Sequence, residues 1–465
     1  MRFSHAAMVV LTAVVLQPLA LRTSQCSNTW IFERVDTTVT GRVVSAIAMD
    51  KLGKPHIAYY DPGLRTLKYA SRDSTGWSSE FVDSTGEVSS GGDRNVSLIL
   101  DEGDIPHIGY LVRPNPANLN YEFRHAFRDG GGWSFETVYA PGATLESPTL
   151  VRDCNGGFHA CVGVVPGPYP KYGHKSGGIW SFTNVGAQRG SGFSLVVDCQ
   201  GDVHLCFQQS YSPYRMVYAV KSGGTWVFDS LSTAGFMPSL RLDSQGVPHV
   251  SYYTGALKYA VKTAGNWSEV TVDGMTYSGL SSSLALDVAD RPHIAYCDGW
   301  GYSLDYASQP DGVWVIERLD GFAPQVVAYN TSLALDSEGH AHISYYDGSS
   351  RSDLKYATTA VVLSAPDVKL PMPGMTRLLA SYPNPFVLGL SVPLSLPYTA
   401  RARIEIRDLG GRRVRTLVDG VLLSGRRTVY WDGSDWRGAR AQPGVYWVVF
   451  DSDGARQAQR VVLLR

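Results

Sequence analysis

The chain has 465 residues, of which 44% are hydrophobic and 18% charged, and a formal net charge of −1. That length and composition fit a globular chain of two or three domains and exclude a disordered one, and the near-zero balance gives no reason to expect nucleic acid as a partner. The charge is uneven: residues 376–465 hold 14 Arg, no Lys and 7 acidic residues, net +7, against −8 for the remainder.

At the start, Arg2, the apolar run 6–16 and the small residue Ala20 read as a secretory signal peptide over residues 1–24. The run is too short to span a bilayer comfortably and no other candidate follows, so no membrane span is expected after signal removal. A secreted, extracellular or bacterial cell-surface location is the expectation.

From residue 45 a pattern repeats seven times, with Asp, five residues, then His: Asp50/His56, Asp101/His107, Asp153/His159, Asp198/His204, Asp243/His249, Asp287/His293 and Asp336/His342. A second column follows at Tyr69, His125, Tyr172, Tyr218, Tyr259 and Tyr306, each eight residues before a Trp: Trp77, Trp133, Trp180, Trp226, Trp267 and Trp314. The seventh, Tyr356, has no such Trp. Each unit reads as four short strands rich in Val, Ile, Tyr, Phe and Trp, with Gly, Pro, Asp and Ser between them. Four-stranded units every 44–52 residues suit a β-propeller. NTWIFERVD, with Trp30 and Glu33, matches GVWVIERLD, with Trp314 and Glu317, so residues 28–35 supply the fourth strand that the seventh unit lacks. Joining them removes two exposed sheet edges. The expected fold is all-β: a seven-bladed β-propeller over 28–360 closed by an N-terminal strand, a linker over 361–375, and a small antiparallel Ig-like β-sandwich over 376–465.

Seven His and seven Asp suggest a metal or catalytic cluster, but equivalent residues of a ring are spread too widely for ligands that must lie within about 2 Å of one zinc ion. They read as structural: Asp accepts amides of its own turn, and His bonds to a neighbour. No metal site is assigned to them. The pattern resembles the Asp-box and BNR-type repeats of sialidase-like propellers over residues 45–358; the Asp and the turn Gly match, whereas His-Ile-x-Tyr-Tyr replaces the usual Thr-Trp. The resemblance implies a propeller, and no sialidase catalytic residue has a counterpart here.

Cys154/Cys161 and Cys199/Cys206 occupy identical positions in neighbouring units, which favours one disulfide inside each hairpin. Cysteines across so tight a turn stand far apart for a bridge, so buried free thiols are the alternative.

Variable loops on a rigid scaffold concentrate function. The longest connection, in the second unit, carries Arg113, Asn115, Asn118, Tyr121, Glu122 and Arg124, residue types that suit hydroxyl-rich ligands such as glycans. Asp61, Asp298 and Asp347 recur at the ends of second strands, with Trp300 beside Asp298; they suit calcium or sugar, or the capping of a turn. Apart from possible calcium, no cofactor is expected.

The strands alternate differently after residue 376. SYPNPF at 381–386, DLGGRRVRTL at 408–417, WDGSDWRG at 431–438 and PGVYWVVF at 443–450 resemble the C-terminal Ig-like sorting module of type IX secretion substrates, akin to the Ig-like domain of flagellar hook-capping proteins. That implies secretion machinery as a partner. Taken together, the chain reads as a secreted or surface binding propeller for carbohydrate or protein. Its regular repeats, with no unit rich in unusual polar residues, favour a binding or structural role over an enzyme, although the absence of a nucleophile motif does not exclude one. The alternatives are a polysaccharide-active enzyme, either glycoside hydrolase or lyase, and a purely structural surface protein.

Overall fold

The structure is a computed structural model. It describes residues 30–359 and 376–464 apart from short segments at 86, 89–95, 131, 167–168, 187–188, 210–214, 232–234, 276, 299–302, 321–326, 349–352, 379–380, 382–383, 387–389, 397–399, 423–424, 432, 438 and 453–454. The signal segment, the linker 361–375 and Trp300 lie outside the described residues.

Among the described residues the chain is all-β, with seven small antiparallel sheets followed by two more. The first unit runs Val44–Met49, Pro55–Asp61, Thr66–Asp73 and Gly76–Asp83 in sequence order. The second has a fifth, two-residue strand, Glu87–Val88, beside Val96–Leu100 on Pro106–Arg113. The seventh joins Val327–Leu335, Ala341–Asp347 and Asp353–Thr358 to Ile31–Asp36, with Ile31 opposite Thr358 and Glu33 opposite Tyr356. First strands of consecutive units contact one another, and that of the seventh contacts that of the first, so the arrangement is propeller-like.

Burial follows radial position. Ala341–Asp347 is buried at every residue, as a strand covered on both faces must be, whereas outer strands such as Ile31–Asp36 alternate between half-buried and exposed. A serine column ties the inner strands together. The residue four before the repeated Asp is Ser97, Ser194, Ser239, Ser283 or Ser332 in five units. Its Oγ accepts the backbone N–H of Leu150, Leu240, Leu284, Leu333 or Ile47 in the next unit, at 2.9–3.2 Å. Six residues before the repeated Asp the backbone turns left-handed at Ser147, Gly192, Met237, Ser281 and Asn330, and the ladder slips register there. This is a β-bulge repeated in five units, four of them without glycine.

Every Asp-to-His corner is built alike. Asp Oδ1 accepts the N–H groups two and four residues on, at 2.7–3.0 Å. Its Oδ2 lies 3.0–3.5 Å from the His Nε2. The other ring nitrogen meets the column tyrosine, as in His159–Tyr172 at 2.7 Å and His204–Tyr218 at 2.6 Å. In the second unit His125 replaces the tyrosine, 2.9 Å from His107, and binds Glu136 at 2.7 Å. The next unit's tryptophan meets the tyrosine edge-on, with Trp226 on Tyr172 and Trp77 on Tyr356. Trp30 fills that place on Tyr306, centroids 4.9 Å apart.

The expected hairpin disulfides are corrected. Cys154 bonds Cys199, with Cα atoms 5.2 Å apart, and Cys161 and Cys206 are buried thiols outside any disulfide. Cys154 and Cys199 each follow the repeated Asp, at corners that touch: the residue in that place elsewhere, Lys51 or Ser244, donates its N–H to Asp104 or Asp290 of the next unit. Cys161 and Cys206 instead point into the apolar layers between sheets. Closing a loop of 45 residues, the bond stabilises by about 2–4 kcal/mol through the unfolded chain.

The last two sheets are Arg377–Leu378, Leu390–Leu396 and Gly425–Trp431, and Arg413–Leu422, Ala400–Asp408, Gly444–Ser452 and Ala455–Leu463. Their apolar faces share one core, to which the first sheet brings Val392 and Trp431 and the second Ile404 and Phe450. Trp431 is fully buried and its indole N–H donates to Ser434 O at 2.8 Å, which satisfies its polar atom.

Candidate functional site

Opposite the Asp-to-His corners, second strands end and third strands begin. There a second network recurs, built from the last Asp of one unit, a tyrosine of the next unit's second strand, and a cation of its third. Tyr59 donates to Asp36 (2.6 Å), Tyr110 to Asp83 (2.5 Å) and Tyr345 to Asp320 (2.6 Å). Lys68 also binds Asp36, while Arg124 reaches Asp83 at 3.2 Å and Lys355 reaches Asp320 at 3.0 Å. Burial would raise the Asp36 carboxyl, but bonds from Lys68, Tyr59 and Thr38 bring it down to about 2.

The sixth unit departs from this. Tyr296 still donates to Asp273, at 2.9 Å, but the third-strand position that holds Lys68, Arg124, Lys171, Lys258 or Lys355 in five other units holds Asp305. Asp305 is 2% exposed and accepts from Ser303 at 2.8 Å. Arg318, on the fourth strand and 44% exposed, bridges two carboxylates, with Nη2 3.1 Å from Asp298 and Nε 3.4 Å from Asp305. Burial pushes the Asp305 carboxyl up to about 6, against the pull of Arg318 and Ser303. A half-exposed guanidinium thus caps two buried acids, one of which holds its proton into the mildly acidic range.

The other sequence candidates fall in different places. Arg113 is bound to Glu87, and Arg124 to Glu122 as well as Asp83. Asn115 and Asn118 accept the N–H groups of Ala117 and Asn120, as turn formers do. Tyr121 packs on an apolar cluster. Asp61 accepts from Gly63 and Leu64 and lies 3.6 Å from Lys68, and Asp347 is paired with Lys355. Only Asp298 belongs to the sixth-unit cluster. Motif reading overlooks Asp305 and Arg318, although an acid in a column of cations is visible in the sequence.

A cavity of about 390 Å³ lies on the axis, lined by first-strand residues of all seven units. No group of three or more His, Cys, Asp or Glu among the described residues is placed to hold a metal ion. No described helix is long and apolar enough to cross a membrane.

No protein-family model matches the chain, and no curated protein matches it. Solved structures do. The chain is similar to a PL25 polysaccharide lyase, an ulvan lyase bound to GlcA(1-4)Rha3S, with TM-score 0.50 and 13% identity, covering 70% of this chain and 94% of that one. It is also similar to a fungal alcohol oxidase of the AA5 family in complex with copper, with TM-score 0.48 and 11% identity over 94% and 99% of the two chains. A third is PorZ, a bacterial surface component of the type IX secretion system of Porphyromonas gingivalis, with TM-score 0.34 and 11% identity over 88% and 68%. At such identities the likeness is one of fold. The reading of regular repeats as favouring a binding or structural protein over an enzyme is nevertheless overturned: the lyase carries catalysis on this fold, so regular repeats do not argue against it.

Proposed function

We propose that the chain is a surface-associated, polysaccharide-active enzyme that acts on an acidic glycan at the face opposite the Asp-to-His corners. In this reading residues 28–360 form a closed seven-bladed propeller with Asp-box-like corners, and 376–465 an Ig-like sorting or anchoring domain after a linker at 361–375. The carrying observation is the Asp298–Arg318–Asp305 cluster. Two carboxyls that touch one guanidinium are no more than about 9 Å apart, within the separation that hydrolytic carboxyl pairs use. A sugar carboxylate that draws Arg318 outward uncovers both acids. Asp305, losing the cation that lowered its pKa, then keeps its proton and donates it to the leaving oxygen as the glycosidic bond breaks, while Asp298 takes a proton from the water that attacks the anomeric carbon. The enlarged second-unit loop, with Asn115 and Asn118, lies among the connections that would contact the rest of the glycan.

The test is release of reducing ends and of unsaturated products from uronate-containing and neutral polysaccharides, with and without calcium. D305N is expected to lower kcat/KM about 100-fold, and activity should fall as pH rises through about 6, where Asp305 loses its proton. No cleavage of any acidic polysaccharide, or D305N matching the parent, would sink the reading. For export, a chain lacking residues 376–465 should be lost from the cell surface; equal surface display would remove the sorting role.

A further inference from the structure

The axial cavity has a chemical bias that its seven-fold construction does not require. Two before the repeated Asp, the inner strands carry Ala48, Ile99, Val151, Val196, Ala285 and Ala334 in six units, but Arg241 in the fifth. Arg241 lines the cavity. Among the described residues its guanidinium makes one hydrogen bond, to the carbonyl of Leu240 at 2.7 Å, and no carboxylate partners it. Nor does any Asp or Glu line the cavity; its other charged residue is Arg152, which is already bound to Glu102. A guanidinium carries five donors and does not give up its proton, so a half-buried arginine without an acid is an unbalanced charge. Burial alone opposes the charge of Arg241, with no neighbouring acid to offset it.

The serine column adds donors. Ser194, Ser239, Ser283 and Ser332 line the cavity and spend a lone pair on the next unit's amide, and their hydroxyl hydrogens have no acceptor among the described residues. Further along the axis Asn330, 4% exposed, donates to Val43 O at 3.1 Å, but its Oδ1 is buried without a partner. One end of the cavity therefore offers positive charge and hydroxyl donors, and the other an acceptor. A volume of about 390 Å³ falls within the ~300–1,000 Å³ of small-molecule pockets.

We propose that the axial cavity binds a small hydroxylated carboxylate, a sugar acid by size and chemistry, with its carboxylate on Arg241 and the serine hydroxyls, and a hydroxyl on Asn330 Oδ1. The site is separate from Arg318 and stands whether or not the chain cleaves polysaccharide. Its test is calorimetric titration and thermal melting of the full chain with glucuronate, glucose and sulfate. Glucuronate should bind and raise the melting temperature, glucose at equal concentration should not, R241Q should weaken glucuronate at least tenfold, and N330A should weaken it less. S283A serves if R241Q does not fold. R241Q should leave cleavage of acidic polysaccharide at the parent's rate, which separates this site from the proposed active site. Indifference to glucuronate, equal binding by R241Q, or a response to sulfate alone would overturn the proposal.

Discussion

Removal of residues 30–36 is expected to unfold all seven sheets together rather than fray one edge. The strand Ile31–Asp36 pairs along Asp353–Thr358, but its side chains reach three units. Trp30 packs on Tyr306 of the sixth and donates to Glu317 at 3.3 Å. Glu33 accepts a two-pronged bond from Arg72 of the first, at 2.8 and 2.9 Å, and the indole of Trp77 at 2.7 Å. Asp36 takes Tyr59 and Lys68, also of the first unit. Truncation would take Glu33 from Arg72 and Asp36 from Lys68, which keeps only Asp61 at 3.6 Å, and breaking one buried pair from one side costs about 3–5 kcal/mol. It would also open a sheet edge. The sum approaches the whole stability of a typical domain, about 5–15 kcal/mol. Urea unfolding followed by tryptophan fluorescence measures it; a truncated chain with the midpoint of the intact one refutes the role of this strand. E33A, which removes only the contacts to Arg72 and Trp77, should lower stability by about 3 kcal/mol.

How much of this is legible in the sequence depends on whether a feature repeats. The strand at Trp30 can be placed because Trp and Glu recur at fixed spacing in NTWIFERVD and GVWVIERLD, and the fold sets them in equivalent positions beside Tyr306 and Tyr259. The disulfide is misread when spacing along the chain stands in for nearness. In this arrangement, equal positions in adjacent units are neighbours, so Cys154 finds Cys199 at 45 residues rather than Cys161 at seven. The second-unit loop misleads in another way: its length and its arginines mark it out, yet whether a charge is free depends on Glu87, Asp83 and Glu122, which alignment of the repeats does not bring together. Arg241 and Asp305 are open to view as departures from their columns. Agreement between copies describes the scaffold, and a charged disagreement inside a well-kept column is where chemistry other than folding has room.

The corner histidines make the second large prediction, a cumulative loss of stability in mild acid. Each column tyrosine keeps its proton, because burial raises its pKa, and so donates to His Nδ1; the other nitrogen, carrying the hydrogen, faces Asp Oδ2. Protonating the ring puts a hydrogen where the tyrosine must donate. Burial accordingly lowers the pKa of His56, His159, His204, His249, His293 and His342, in spite of the adjacent Asp, and brings His107 down to about 4 with help from His125. A pKa depressed in the folded state means that the unfolded chain binds protons first. The stability is therefore complete above about 6.5 and falls as pH drops from there towards the folded values. All seven lie at equivalent corners and their shifts share one direction, so their losses act together in the same pH range. The paired carboxylates Asp36 and Glu136, held down to about 2, are not the cause in most of that window, since the unfolded chain takes up their protons only below about 4.5. Melting temperature measured from pH 8 to 4 should hold level to about 6.5 and then fall steeply. A profile flat to pH 4 would mean that the corner histidines are charged or readily hydrated in the folded chain.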